Sequence, residues 1–335
     1  MKKITINDIA KALSVTPSTV SRALAGNTRV SLKTRNRVNE KARELGYQPN
    51  VIAASLRKGK SDTIGLIVPR VNRHFFSNVI SGVEEILNPA GYNLVICQSG
   101  ENVSKEKKAV ETLLRNQVGG IILSLSVQTQ SFDHLEEVVR RQIPLVQFDR
   151  INSDIPGYKV INDNYTGAYL ATKHLLKEGY KRVAHFAGER KLKAYQERYE
   201  GYLKAMQEAN CNLDEGLIFE NVITREAGHS TIKRVLDGDL ADALFCAGDY
   251  SARGALDGLK ERGIHVPGDF GVVGFANEPF AELMYPSLSS VEQNAFEMGN
   301  KAAAAMIKSI EGGEVVTEEF VVPVRLIVRQ SSKSE

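Results

Sequence analysis

Near the start of the chain, apolar residues recur three and four positions apart. Ile6, Ile9, Ala10 and Leu13 share one helical face, and Thr5 is placed to cap it. Residues 14–16 break that rhythm. Pro17 then stands where a first helical turn tolerates proline, opening a second helix over 17–25 that ends at Gly26-Asn27. A third helix is predicted from the capping Ser31 through Leu32, Arg35, Val38, Ala42 and Leu45, with Gly46 suited to its C-terminal cap. Three short helices joined by tight turns make a helix-turn-helix head over 1–46.

From Asp62 the period changes. Short apolar runs at 63–69, 93–98, 119–123, 144–148, 182–187, 242–247 and 271–275 alternate with amphipathic segments, the first of them over 77–90. Alternation of this kind marks parallel sheets covered by helices. So many strands suit two open sheets of about six, and therefore two lobes with a cleft between them. The expected fold class is α/β: an all-α helix-turn-helix head, then a two-lobed core over 61–335 with parallel sheets.

Composition narrows the class further. The chain has 335 residues, 42% hydrophobic and 25% charged, which fits a soluble globular protein of two or three domains and excludes disordered or collagen-like chains. No apolar run of about eighteen residues occurs, and Met1-Lys2-Lys3-Ile4 does not open a signal peptide. A cytoplasmic location without a membrane partner is expected. Cys97, Cys211 and Cys246 stand far apart with no CxxC spacing, so they read as buried thiols rather than a disulfide framework or metal ligands. Neither a metal nor a cofactor is expected.

The formal net charge of +3 conceals a strong asymmetry. Residues 1–60 carry thirteen Lys and Arg against Asp8, Glu40 and Glu44, a net +10, so the remaining 275 residues carry −7. A basic, helix-patterned head on an acidic body points to double-stranded DNA as the head's partner. In the second helix Val20 and Leu24 are expected to face the core. That leaves Pro17, Ser18 and Arg22 toward base edges, with Thr19, Ser21 and Thr34 toward phosphates. Thr5, Thr16, Asn27, Ser31 and Asn50 complete the candidate DNA-contacting set together with two hinge residues.

Three segments carry a family resemblance: Thr-Ile-Asn-Asp-Ile-Ala-Lys at 5–11, Val-Thr-Pro-Ser-Thr-Val-Ser-Arg-Ala-Leu at 15–24, and Glu-Leu-Gly-Tyr-Gln-Pro-Asn at 44–50. They resemble the lactose-repressor (LacI/GalR) family, and the likeness extends over nearly the whole chain. For residues 47–60, a run too short to hold as a helix alone in water, it implies a hinge that becomes helical on the operator. That hinge pairs with its partner in a homodimer and presses Leu56, beside Ala53, into the minor groove. For the core it implies a periplasmic-binding-protein-like fold with discontinuous lobes, about 61–162 plus 293–325 and about 163–292 plus 326–335. The dimer face is expected on the helix near 77–87 and the segment near 113–118.

Open parallel sheets take ligands beyond the carboxyl ends of their strands. The residues there are Phe75, Phe76, Asp149, Tyr195, Arg198, Ile223, Asp249 and Asn277, which form the candidate effector-binding set. Aromatic faces beside carboxylates, amides and an arginine suit a polyhydroxylated or heterocyclic ligand; with the family resemblance, a sugar or sugar derivative is expected first and a nucleoside second. Arg198 lies in Tyr-Gln-Glu-Arg-Tyr-Glu-Gly-Tyr at 195–202, similar to the family segment in which an arginine grips the effector. Two positions depart from the family. Ala276 stands where an aspartate usually binds the ligand, leaving Asn277 or Glu278 to replace it, and Gly248 precedes Asp249 where an asparagine is common.

Catalysis finds no support. The chain has no GxSxG elbow, phosphate-binding GxxxxGK[ST] loop, HExxH motif or GxGxxG after a strand, and His185 with Asp249 has no nucleophile beside it. The sequence reads as a repressor, not an enzyme, binding a palindromic operator as a homodimer under the control of a small molecule.

Overall fold

A computed structural model of the protein describes residues 4–47, 61–211, 214–312 and 316–333. The chain divides into two compact units, Met1–Ser61 and Asp62–Glu335.

Among the described residues the first unit holds three helices, α1 (Ile6–Leu13), α2 (Pro17–Leu24) and α3 (Leu32–Glu44). Each begins at a side-chain cap. Thr5 donates to Asp8 Oδ2 from its backbone nitrogen at 2.8 Å and from its hydroxyl at 2.6 Å, while Thr16 and Ser31 accept from the backbone nitrogens of Thr19 and Thr34 at 3.2 and 3.3 Å. Ile9, Ala10, Val20, Ala23, Val30, Val38 and Ala42 form the core, with Leu24 partly buried against it. Arg35 NH1 donates to the Gly26 carbonyl at 3.2 Å and ties α3 to the turn after α2.

The second unit is built on two six-stranded sheets. The first combines β1 (Thr63–Val68), β2 (Asn93–Gln98), β3 (Gly120–Leu123), β4 (Leu145–Phe148), β5 (Tyr158–Asn162) and β11 (Glu318–Val322), in the spatial order β11-β5-β4-β3-β1-β2. The second combines β6 (Val183–Phe186), β7 (Ile218–Phe219), β8 (Ala243–Cys246), β9 (Gly271–Phe275), β10 (Ser289–Glu292) and β12 (Arg325–Ile327), in the order β12-β10-β9-β8-β6-β7. All pairings are parallel except β12 with β10. Central strands such as Gly-Ile-Ile-Leu and Ala-Leu-Phe-Cys are buried throughout, because helices cover both faces.

On the first sheet lie α4 (His74–Leu87), α5 (Val103–Arg115), α6 (Asp133–Arg140) and α12 (Ala295–Gly312). On the second lie α7 (Asn164–Lys177), α8 (Lys193–Glu208), α9 (Arg225–Asp237), α10 (Asp249–Glu261) and the short α11 (Phe280–Leu283). The first of these helices starts at His74, three residues before the sequence pattern placed it. Helices α4 and α12 meet backbone to backbone: a Cβ on Gly82 would stand 2.2 Å from the Phe296 carbonyl oxygen, and one on Gly299 2.2 Å from that of Val79.

Among the described residues the chain crosses between lobes three times, after Asn162, at Gln293-Asn294 and at Pro323-Val324. Side-chain amides bind these crossings together: Asn162 Nδ2 donates to the Gln293 carbonyl at 2.6 Å, and Asn294 Nδ2 to that of Pro323 at 2.7 Å. Asp163 N donates to the Val322 carbonyl at 3.1 Å. Asn162 is buried with both side-chain polar atoms engaged, since its Oδ1 also accepts from Gln293 Nε2 at 3.1 Å, so these crossings form a defined pivot.

In the segment 113–118, Leu113, Leu114 and Val118 are buried in the first lobe's core against β1 and β3, while Arg115, Asn116 and Gln117 are exposed. One expectation changes here: of the three thiols only Cys246 is buried, while Cys97 and Cys211 are half-buried. No helix among the described residues is long and apolar enough to cross a membrane.

Candidate functional site

In the first unit, α2 presents one face to its core through Val20 and Ala23 and the opposite face to solvent. Pro17, Ser18 and Arg22 are exposed there, and Arg22 makes no hydrogen bond or ion pair among the described residues. Its guanidinium is therefore free to fork onto base-edge acceptors. The Thr16 hydroxyl lies 2.9 Å from those of both Ser18 and Thr19. Thr19, Ser21 and Thr34 are half-buried, with the Thr34 hydroxyl 2.9 Å from Ser31 Oγ. Thr5 and Ser31 serve their own helix starts, and Asn27 Oδ1 accepts from Arg29 N at 2.9 Å, so these three are engaged within the fold. Lys11, Arg29, Lys33 and Arg37 are exposed on the same unit; the sequence reading counted them in its charge total but did not single them out as contacts. Asn50, Ala53 and Leu56 lie outside the described residues.

In the second unit, a cleft of about 410 Å³ opens between the two lobes at the carboxyl ends of their strands. The first lobe contributes Phe75 and Phe76 from the start of α4, and Asp149 and Arg150 from the end of β4. Tyr195 and Arg198 from α8, Ile223 from the loop before α9, and Asp249 from the start of α10 come from the second. Phe75 and Phe76 meet edge to face at 5.1 Å. Seven of the eight candidate effector residues thus share one cavity.

Arg198 is its structural centre. It is 6% exposed, donating from Nε to Asn164 Oδ1 at 3.0 Å and from NH1 to the Ala247 carbonyl at 2.7 Å. Its guanidinium lies 3.8 Å from the Phe275 ring centroid and 5.2 Å from that of Tyr195. Two neutral acceptors and two aromatic faces fix the fork without cancelling its charge, so one edge remains for a ligand. Burial pulls its pKa down from the usual guanidinium value, while Tyr195 and Asp149 oppose that shift.

Across the cleft Arg150 NH1 donates to Glu101 Oε2 at 2.7 Å, and Glu101 Oε2 also accepts from Val127 N at 3.0 Å. Asp149, held at φ +58°, stands 3.9 Å from Arg150 Nε and 3.5 Å from Ser124 Oγ. Burial raises its carboxyl above the ordinary range, and Arg150 and Arg198 offset part of that rise.

The wall after β9 differs from the sequence reading. Asn277 does not line the cavity: its Nδ2 donates to Glu292 Oε2 at 2.7 Å, its Oδ1 accepts from Arg329 NH2 at 2.9 Å, and its backbone nitrogen donates to Ser290 Oγ at 3.0 Å. The cause is the backbone, since Ala276 at φ +118° and Asn277 at φ +48° turn the chain so that Glu278 faces the cleft. Asp249 does line it, yet both of its oxygens are occupied, one by Ser290 Oγ at 2.6 Å and the other by Glu278 N at 2.7 Å. Gly274 allows this close fit, because a Cβ there would stand 2.1 Å from Asp249 Oδ1. Burial pushes Asp249 up to about 6; burial together with the neighbouring Asp249 pushes Glu278 to about 7. Arg73 and Tyr250, which the sequence reading did not choose, close the cleft's rim with the guanidinium 4.0 Å over the phenol ring.

His185 is not a partner of Asp249. It is fully buried and stacked between Phe245 at 4.9 Å and Tyr202 at 5.0 Å, and burial lowers its pKa to about 4. Among the described residues no group of three or more His, Cys, Asp or Glu is placed to hold a metal ion.

Two family models match the chain: bacterial regulatory proteins of the lacI family over residues 5–50, and a periplasmic binding protein-like domain over 172–332. The ribose operon repressor of Halalkalibacterium halodurans is 33% identical over 339 residues, covering 98% of this chain and 97% of that one. A LacI family transcriptional regulator from Enterococcus faecium, solved with bound ribose, is 27% identical with a TM-score of 0.71, covering 81% of this chain and 99% of that structure. The lac repressor dimer bound to operator and an anti-inducer superposes with a TM-score of 0.87 over 99% of this chain and 100% of its own, at 23% identity, a likeness of fold.

Proposed function

The chain belongs to the lacI family of bacterial regulatory proteins, and on that premise we propose that this DNA-binding transcriptional repressor acts as a homodimer on a palindromic operator, with a carbohydrate in the interlobe cleft setting its affinity. Its relatives are transcription regulators rather than enzymes. Work on DNA places it in the cytoplasm.

The observation that carries the reading is the cleft around Arg198. Its walls come from both lobes, and they meet at a pivot whose crossings are tied by Asn162, Gln293 and Asn294. A ligand gripping both walls stabilises one lobe arrangement over another. Only such differential affinity shifts the balance between DNA-bound and free states. The ribose held by the Enterococcus faecium regulator supports a sugar as the ligand class.

Exposed apolar surface supports the dimer. Strand β2 is a sheet edge with Val95 and Ile96 each 42% exposed, and Leu283 and Tyr285 are 85% and 89% exposed. Soluble proteins normally cover such edges and patches, and a second copy with two-fold symmetry would do so. On the DNA side, Arg22 with Pro17 and Ser18 would read base edges while Thr19, Ser21 and Thr34 position the helix on phosphates. Leu56, beside Ala53, would wedge the minor groove.

Sedimentation of the full chain, with gel-shift titration on the DNA upstream of its own gene in the presence and absence of ribose and other sugars, tests this reading. A dimer whose DNA affinity changes with one sugar is expected. A monomer, or a DNA affinity that no sugar alters, would overturn it.

A further inference from the structure

Four carboxylates line the cleft, and three of them already have partners. Glu101 is taken by Arg150 and Val127 N, Asp249 by Ser290 and Glu278 N, and Asp149 stands beside Arg150 and Ser124. Glu278 is different. It is only 8% exposed, and its carboxyl makes no hydrogen bond or ion pair among the described residues. Buried polar groups are normally satisfied, and one left open in a cavity wall awaits a partner from outside the fold.

The chain also invests conformational strain in putting it there. Alanine at φ +118° followed by asparagine at φ +48° is a costly way to leave a strand. The bend is clamped from behind by Asn277, whose side chain is held by Arg329 and Glu292. Asp249 accepts the Glu278 backbone N–H and fixes the next residue of the turn. Strain that persists because its surroundings over-determine it is a mark of function.

Resting on the reading of the cleft as a carbohydrate site, we propose that Glu278 is a specificity residue whose carboxylate accepts hydrogen bonds from hydroxyl groups of a neutral sugar. The chemistry is selective. A carboxylate accepts and does not donate, so hydroxyls facing it are favoured, while a phosphate or carboxylate on the ligand at that position is repelled. Groups facing Glu278 are Asp249 and Tyr250 from α10 and Arg73 at the start of α4 on the opposite lobe. Because burial and Asp249 hold the empty carboxyl near 7, hydroxyl donors that favour the ionised form make sugar binding release protons and tighten as pH rises through neutrality.

The test begins with a thermal-shift screen of the full chain against ribose, D-xylulose, cellobiose, other neutral sugars and their phosphorylated counterparts. The best stabiliser goes to titration calorimetry with wild type, E278Q and E278A, operator binding and melting serving as fold controls. A neutral sugar is expected to bind, roughly 10- to 100-fold more weakly to E278A and by an intermediate factor to E278Q. The deoxy analogue lacking the partnered hydroxyl should bind wild type and E278A alike, and the pH dependence should vanish in E278Q. Unchanged affinity in E278A overturns the role of Glu278 while leaving a carbohydrate cleft intact. Preference for a phosphorylated sugar overturns the selectivity, and binding of no sugar at all overturns both readings.

Discussion

Asn162 and Gln293 clasp each other across two of the three lobe crossings. Asn162 Nδ2 donates to the Gln293 carbonyl at 2.6 Å, and Gln293 Nε2 donates to Asn162 Oδ1 at 3.1 Å. Both side chains are buried, at 2% and 5% exposure. Asn162→Ala strands the Gln293 amide without an acceptor, at a cost of about 1–3 kcal/mol. Urea denaturation should show that loss, and the operator response to effector should weaken more than effector binding does. An unchanged unfolding midpoint would mean that the clasp does not stabilise the pivot.

Arg198 is held by Asn164 and Ala247 on one side and faces the cleft on the other. Arg198→Ala should therefore leave operator binding intact and abolish effector response. Arg198→Lys should rescue little, since an ammonium cannot reproduce a fork stacked on Phe275. Operator titrations by fluorescence anisotropy, with and without the sugar, measure both. A response that survives Arg198→Ala would place the effector elsewhere.

Arg22 and Thr34 separate specificity from affinity. Arg22→Ala should cost roughly 1–3 kcal/mol on the preferred site and relax the base preference, whereas Thr34→Val should weaken all sequences alike. Binding measured on the preferred duplex and on single-base variants distinguishes the two. Normal discrimination by Arg22→Ala would mean that α2 is not the reading helix.

The acids of the second lobe set a pH dependence of stability. Asp249 and Glu278 are pushed by burial to about 6 and about 7, above their values of about 4 in an unfolded chain. Between those limits the folded state binds more protons than the unfolded one. Their contribution is therefore full below about pH 4 and is lost as pH rises through about 7. Glu278→Gln has nothing to ionise, so it should gain on wild type by about 1 kcal/mol between about pH 5 and about pH 8, once screening by the open cleft is allowed for. Melting curves at the two pH values test this. A constant difference between the proteins would show that Glu278 does not titrate there.

The head was legible because its helices are short, capped and amphipathic; the caps Thr5 and Ser31 are the ones the sequence displays, whereas Thr16 was hidden in the break before Pro17. In the core, the apolar central strands announced themselves, and β5, β7, β10, β11 and β12 did not. Strand β7 has two residues, β11 is an edge strand opening with Glu318-Glu319, and β12 joins antiparallel from the far end of the chain. Helix α4 started early because Arg73 precedes it without a side-chain cap, leaving no Ser, Thr or Asp to mark the boundary. In the cleft, Asp149 followed from its place beyond the end of β4, and Arg198 from the family resemblance of the segment 195–202, which lies on α8 with Tyr195. The choice of Glu278 over Asn277 did not, since one left-handed bend at Ala276-Asn277 decides which neighbour faces in, and hydropathy carries no signal for it.

Selection of duplexes from a random pool by the purified full chain, read by sequencing with and without candidate sugars, tests the central claim most directly. A two-fold symmetric sequence should be enriched, with its enrichment changed by one sugar and its base preference lost in Arg22→Ala. Failure to enrich any symmetric sequence, with every sugar tried, would contradict the reading of this chain as an effector-controlled operator-binding repressor.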